Sequence, residues 1–214
     1  MSQGVRSVGP MAILDLLLPP RCAGCDAFGP SPCARCARAL RPAPVSDPPD
    51  GLESVAALLR YDATAGRFVT AVKYRNARAS LDVLGGAVAA LVAPERSRLD
   101  VVTWAPTTPA RRHARGFDQA ELLARVVATH LGLPHRRCLE RLPGPQQTGL
   151  SAEARHGAPR FVGRPPAPGR VLVVDDVCTT GATLSAAARA LREAGTRQVR
   201  GLVMARTPGP GVHR

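Results

Sequence analysis

The chain has 214 residues and 45% apolar content, enough for one domain of ordinary size, with or without a small added module. No apolar run approaches the ~18–20 residues needed for a helix to cross a bilayer. The formal charge of +13 suits phosphorylated ligands or nucleic acid, but Lys73 is the sole lysine among 29 basic residues and Ala, Gly and Pro abound, which a GC-rich coding sequence produces equally well.

The segment MAILDLLLPP (Met11 to Pro20) is interrupted by Asp15 and followed by no cleavage-like pattern. It reads as a short amphipathic stretch rather than a signal peptide, and a cytoplasmic protein is expected. Four of the six cysteines then follow in a proline-rich region, as Cys22-x2-Cys25 and Cys33-x2-Cys36, with Gly24 inside the first pair and Arg35 inside the second. Two such turns can supply the four thiolates of a tetrahedral zinc site. A disulfide arrangement would need an oxidising compartment, and a redox pair normally stands alone beside a βαβ pattern. Structural zinc on Cys22, Cys25, Cys33 and Cys36 is therefore the expectation. A zinc-ribbon module is placed over 12–46, a larger domain over 51–207, and loose tails over 1–11 and 208–214. The stretch SDPPDG (Ser46 to Gly51) has a linker's composition.

Beyond it, GLESVAALLRYD reads as a strand or a short helix, because its periodicity does not decide. Helical segments follow to Ala93 with a break near Asn76, and LDVVTWAP reads as a buried strand. The segment DQAELLARVVATHLG places Leu122, Leu123, Val126, Val127 and His130 at helical spacing, with Asp118 as its N-cap and Gly132 closing it. HRRCLER reads as a further strand, with Cys138 a core thiol. PGPQQTGLSAEARHGAPRF is long and poor in apolar residues, as a loop closing over substrate would be. GRVLVVDDV is a continuous apolar strand, TLSAAARALREAG a helix, and QVRGLVMAR another strand. Strands alternating with helices imply a parallel α/β sheet.

The stretch VLVVDDVCTTGATL carries the most chemistry. Asp175 and Asp176 are expected at the carboxyl end of a buried strand, where open α/β sheets bind ligands. The loop Cys178, Thr179, Thr180, Gly181, Ala182, Thr183 is built of small residues whose amides can converge on an anion. A helix expected from about Thr183 adds its positive end. A monophosphate fits the loop, but not the acids, which would repel it. Carboxylates accept hydrogen bonds from a ribose diol, so the ligand inferred is a ribose 5-phosphate, with Mg²⁺ compensating nearby charge.

VLVVDDVCTTGAT resembles the phosphoribosyl pyrophosphate (PRPP) signature of type I phosphoribosyltransferases. The chain as a whole, over about 12 to 206, is similar to the ComF family of competence-associated proteins, through PPRCAGC, VKYRNAR, RRHARGFDQAELLA and LSAEAR. That resemblance implies a type I phosphoribosyltransferase fold behind a zinc ribbon, with PRPP and Mg²⁺ as ligands. It implies transfer of the phosphoribosyl group to an acceptor with release of pyrophosphate, or else a non-catalytic PRPP sensor engaging single-stranded DNA or DNA-uptake proteins. It also assigns WAPTTPARRHARGFDQ to the pyrophosphate loop. Lys73, Arg75, Arg111, Arg112, Arg115 and Gly116 are thereby candidates for binding pyrophosphate, the arginines by bidentate contact. The chain departs from the family pattern at Trp104-Ala105-Pro106 for Pro-Val-Pro, at Asp118 for Asn, and in a shortened segment after Arg155. Aromatic residues for stacking on bases are scarce: Trp104, Tyr61, Tyr74 and four Phe.

Overall fold

A computed structural model describes residues 21–74, 78–143, 159–166 and 168–208, with backbone alone for 72–74, 78–80 and 115. The break expected near Asn76 and most of the expected closing loop lie outside the described residues, as do the amphipathic segment and most of both tails.

A short helix α1 (Ala34–Ala39) leads from the cysteine region to strand β1 (Ser54–Arg60). Helices α2 (Ala63–Tyr74) and α3 (Arg78–Ala90) follow, then a 3-10 turn (Ala93–Arg98) and strand β2 (Val101–Trp104). Next come α4 (Pro109–Arg115), α5 (Gln119–Leu131), a small hairpin of β3 (Leu139–Arg141) and β4 (Phe161–Gly163), and finally β5 (Arg170–Cys178), α6 (Ala182–Glu193) and β6 (Gln198–Arg206).

The main sheet has the order β1-β6-β5-β2 and every pairing in it is parallel. The ambiguous GLESVAALLRYD is a strand because the edge of β6 offers it a ladder from Ser54↔Arg200 to Arg60↔Arg206. HRRCLER does not join this sheet beyond a single bridge from His135 to Val102. Its last residues form β3, which pairs antiparallel with β4 as a separate sheet, because buried Leu139 belongs to the core beneath α6.

Alternation along β5 divides the core. Leu172 and Val174 join α2, α3 and α5 on one face, whereas Val171 and Val173 join α6 and the hairpin on the other. Consequently α5, reached from β2, and α6, reached from β5, lie on opposite faces of neighbouring strands. A crevice must open between the carboxyl ends of β2 and β5, as at the topological switch point of open α/β sheets.

Helix α5 is capped as its sequence demands. Asp118 Oδ1 accepts from the Ala120 amide at 3.1 Å, and Gly132 closes the helix in the left-handed region at φ 60°. Its fully buried stripe is Leu123, Ala124, Val127, Ala128 and Leu131, while Leu122 and Val126 are partly buried. His130 falls outside the core face and approaches Asp82 of α3 at 3.5 Å. Helices α3 and α5 touch closely because α3 presents glycine there. A methyl on Gly85 would stand 2.5 Å from Val126 Cγ1, and one on Gly86 3.1 Å from the His130 ring. No helix among the described residues is long and apolar enough to cross a membrane.

Replacing Gly85 with valine should force these helices apart. The expected cost is about 1–3 kcal/mol of unfolding free energy, read from denaturant titration, with α-helical circular dichroism retained.

Candidate functional site

Strand β5 runs through the aspartates to Cys178, one residue past the expected GRVLVVDDV. Its apolar alternation resumes out of phase, since Val177 rejoins the face of Leu172 and Val174 while Cys178 takes the other. The phase changes at Asp175 and Asp176, where each carboxylate accepts from the next amide: Asp175 Oδ1 from Asp176 N at 2.8 Å, and Asp176 Oδ1 from Val177 N at 2.7 Å. Adjacent residues of a regular strand would face opposite ways. Here both residues line one cleft.

That cleft, of about 170 Å³, occupies the crevice predicted by the topology and is bounded by Ala105 to Thr107, Arg111, Asp118, Arg141, Asp175, Asp176 and Thr183. The basic turn after β2 is in part a helix. Thr108 caps α4 by accepting from the Arg111 amide, Pro109 occupies its first turn, and Gly116 ends it at φ 77°. This places Arg111 on the cleft. Arg112 instead lines an adjoining recess of about 100 Å³ with Trp104, Glu121 and Arg137. The side chains of Lys73 and Arg115, and Arg75 altogether, lie outside the described residues. In the anion loop Thr179 and Thr180 are exposed, Cys178 and Gly181 are buried, and Ala182 and Thr183 are half-buried. Helix α6 begins at Ala182, one residue before the expected start, with Gly181 as its N-cap at φ 81°. Burial pushes the Cys178 thiol up, which keeps it a neutral packing group.

Asp118 ties the loop after β2 to the start of α5, because Oδ2 accepts from Thr107 N at 2.8 Å while Oδ1 caps α5. Burial raises its pKa against these hydrogen bonds. Trp104 is buried and stacks on His135 at 4.8 Å between ring centroids, so its ring serves packing.

Arg141 was missed by sequence reasoning. It stands on β3 and reaches the cleft from the hairpin side, donating to Pro106 O at 3.3 Å, with its guanidinium 5.6 Å from the Phe161 ring centroid. Burial draws its pKa down, as does Arg111 nearby, while Asp175 and Asp118 oppose the shift. The signal was a lone Arg at the end of a short strand, which only the hairpin's position turns into a cleft residue.

The four cysteines form a second site. All are free thiols, and their sulfur atoms lie within 4.8 Å of one another. The Cys25 and Cys33 sulfurs are 3.7 Å apart. A tetrahedron with ~2.3 Å metal–sulfur bonds has edges of about 3.8 Å, so the cluster fits zinc and its spacing does not fit a disulfide. The Cys33 amide donates to Cys22 Sγ at 3.4 Å. The thiols cannot all ionise side by side. Hydrogen bonding from the Ala27 amide and then Arg35 lowers Cys25 to about 6, whereas burial pushes Cys36 up to about 12. A divalent cation removes that conflict. Gly24 makes the module fit the larger domain, since a methyl there would stand 2.7 Å from the buried Phe68 ring of α2.

Residues 141–213 match the family model described as the phosphoribosyl transferase domain. Over 81 residues the chain is 41% identical to the orotate phosphoribosyltransferase of Bacillus caldolyticus, covering 37% of this chain and 38% of that protein. The chain thus spans less than two fifths of that relative's length. Among solved structures, a purine phosphoribosyltransferase from Pyrococcus horikoshii Ot3 superposes with a TM-score of 0.38 at 19% identity, over 63% of this chain and 77% of that one. The allosteric regulatory enzyme of purine biosynthesis superposes at 0.37 and 23% identity, over 57% and 25% respectively. Both superpositions are loose. The parallel α/β sheet and the matched segment give the chain a phosphoribosyltransferase-like domain, preceded by a four-cysteine module consistent with a zinc ribbon.

Protein purified without chelator should carry one zinc per chain by atomic absorption, and Cys36→Ser should lower both the zinc content and the melting temperature.

Proposed function

We propose that the cleft binds PRPP, and that the protein transfers its phosphoribosyl group to an acceptor nucleophile with release of pyrophosphate. The observation that carries this reading is the pairing of Asp175 and Asp176 on one cleft with Thr183, at the start of α6. Carboxylates beside an anion loop suit a ligand that presents both a diol and a phosphate. In this reading Asp175 and Asp176 accept from the ribose hydroxyls. The 5'-phosphate lies against the loop from Cys178 to Thr183, met by backbone amides, threonine hydroxyls and the helix terminus. The diphosphate extends towards Arg111 and Arg141.

The step forms a bond from the acceptor atom to C1 of the ribose and breaks the bond from C1 to the diphosphate oxygen, whose electron pair leaves with pyrophosphate. Positive character grows on the sugar as that bond stretches, in a transition state like an oxocarbenium ion. The two carboxylates stabilise this charge, and the arginines stabilise the negative charge gathering on the leaving group. No covalent intermediate with the protein is required. Positioning and exclusion of water supply the remainder.

Among the described residues the four cysteines are the group of three or more candidate metal ligands, and the aspartate pair does not extend into another. Mg²⁺ bound together with PRPP would neutralise charge on the diphosphate. The alternative reading is a non-catalytic, ComF-type role in sensing PRPP and handling incoming single-stranded DNA. A protein that binds PRPP without turnover would meet that role as a sensor.

Calorimetric titration with PRPP and Mg²⁺ tests the reading. Wild type should bind, and Asp175→Asn/Asp176→Asn should bind about 2 kcal/mol more weakly, roughly 30-fold, from the loss of charged acceptors. Equal affinity in the two proteins, or no binding by wild type, would remove the phosphoribosyl assignment. Pyrophosphate release with base or amine acceptors then separates transferase from sensor.

A further inference from the structure

The anion loop is held from outside by the segment that joins the cysteine module to the sheet. Its beginning, Arg41 to Ala43, runs antiparallel along the free edge of β1. Arg60 N donates to Arg41 O at 2.8 Å, Ala43 N donates to Leu58 O at 3.2 Å, and Pro42 bridges Leu59. Its middle is clamped by Arg206, whose Nη1 donates to Ser46 O at 3.3 Å and Nη2 to Asp47 O at 2.6 Å. Its end is fixed where Arg192 Nε donates to Gly51 O at 2.9 Å and Glu53 N donates to Val199 O at 2.9 Å. A stretch with a linker's composition is therefore fastened along its length.

Between the last two fastenings lies Pro49, whose ring fills the space that a side chain on Gly181 would need. Gly181 is the left-handed N-cap of α6 and the pivot of the loop. The clamping Arg206 is the register partner of Cys178, where the loop begins. Thr207, next in sequence, completes the hold: its amide donates to Cys178 O at 3.0 Å and its hydroxyl to Thr179 O at 3.1 Å. The Gly181 carbonyl is taken by Ser185 N at 2.9 Å. The loop is thus held at three of its carbonyls, those of Cys178, Thr179 and Gly181, while within it the Ala182 amide donates to Thr180 Oγ1 at 3.4 Å.

We infer that Pro49 is a positioning residue for the anion loop, acting through Gly181, and that the segment 41–50 forms part of the phosphate-binding apparatus rather than a passive connection. The consequence for ligand binding rests on the phosphoribosyl reading; the consequence for the loop does not. A loop already held in shape spends none of the ligand's binding energy on ordering. Pro49 suits this task, because its backbone is stiff and its ring presents a rigid apolar surface to a position where no β-carbon fits.

The experiment compares full-length wild type with Pro49→Gly and with Pro49→Val, which restores bulk over Gly181. Two readouts are taken on each: hydrogen exchange at the Ser185 and Thr207 amides, whose acceptors are loop carbonyls, and calorimetry with ribose 5-phosphate. Near-ultraviolet circular dichroism confirms that each variant is folded. Pro49→Gly should speed exchange at both amides and weaken ribose 5-phosphate about tenfold, with Pro49→Val recovering most of the loss. Unchanged exchange in folded Pro49→Gly would overturn the inference. So would equal or tighter binding, since tighter binding would make the segment an obstruction. If exchange accelerates but wild type itself ignores ribose 5-phosphate, the positioning role stands and the phosphoribosyl reading falls.

Discussion

Strand β5 must bury apolar side chains on both faces, and the molecule is arranged around that requirement. A parallel strand between two others has no solvent side, so helices must cover it twice. Helix α5 and its neighbours cover Leu172 and Val174, while α6 covers Val171 and Val173. Those helices leave from the carboxyl ends of adjacent strands in opposite directions, and the gap between their starts is the cleft. The site is a by-product of covering a buried strand.

Within that gap the electrostatics are divided by origin. The acids come from β5, and the anion loop comes from the turn that follows it. The cations come from elsewhere: Arg111 from the helix after β2 and Arg141 from the hairpin that packs beneath α6. A ligand with a diol in its middle and phosphate at both ends would meet each part in turn. Asp118 matters to the basic side because it fastens Thr107, just before the helix that carries Arg111, to the first turn of α5. Its placement explains why a carboxylate serves there: both oxygens accept from backbone amides.

The cysteine module reaches the site through packing and backbone hydrogen bonds. Gly24 lets the first knuckle close on Phe68, and the chain leaving the second knuckle lies along β1 before it reaches Gly181. A small module with little core of its own gains order from the surface it leans on, and a cation among its sulfurs would add to it.

Much of this was legible in the sequence. Spacing alone brought Cys22, Cys25, Cys33 and Cys36 together, because a CxxC turn fixes where its thiols point. The apolar run before Asp175 and the small-residue loop after it gave a buried strand and the tight turn that opens α6, both set by local backbone physics. The caps at Asp118 and Gly132 were readable for the same reason. Tertiary structure decided what depends on distant partners. Ser54 to Arg60 became a strand because β6 had an edge to pair, and Arg141 became a cleft residue because its hairpin packs under α6. Arg111 and Arg112, adjacent in sequence, were parted between cleft and recess by the turn of a short helix. Pro49 met Gly181 across more than half the chain, since the contact depends on how β1, β5 and β6 lie side by side. Local sequence fixes backbone shape and the kinds of group it offers, but which groups share a space is settled only when buried faces find one another.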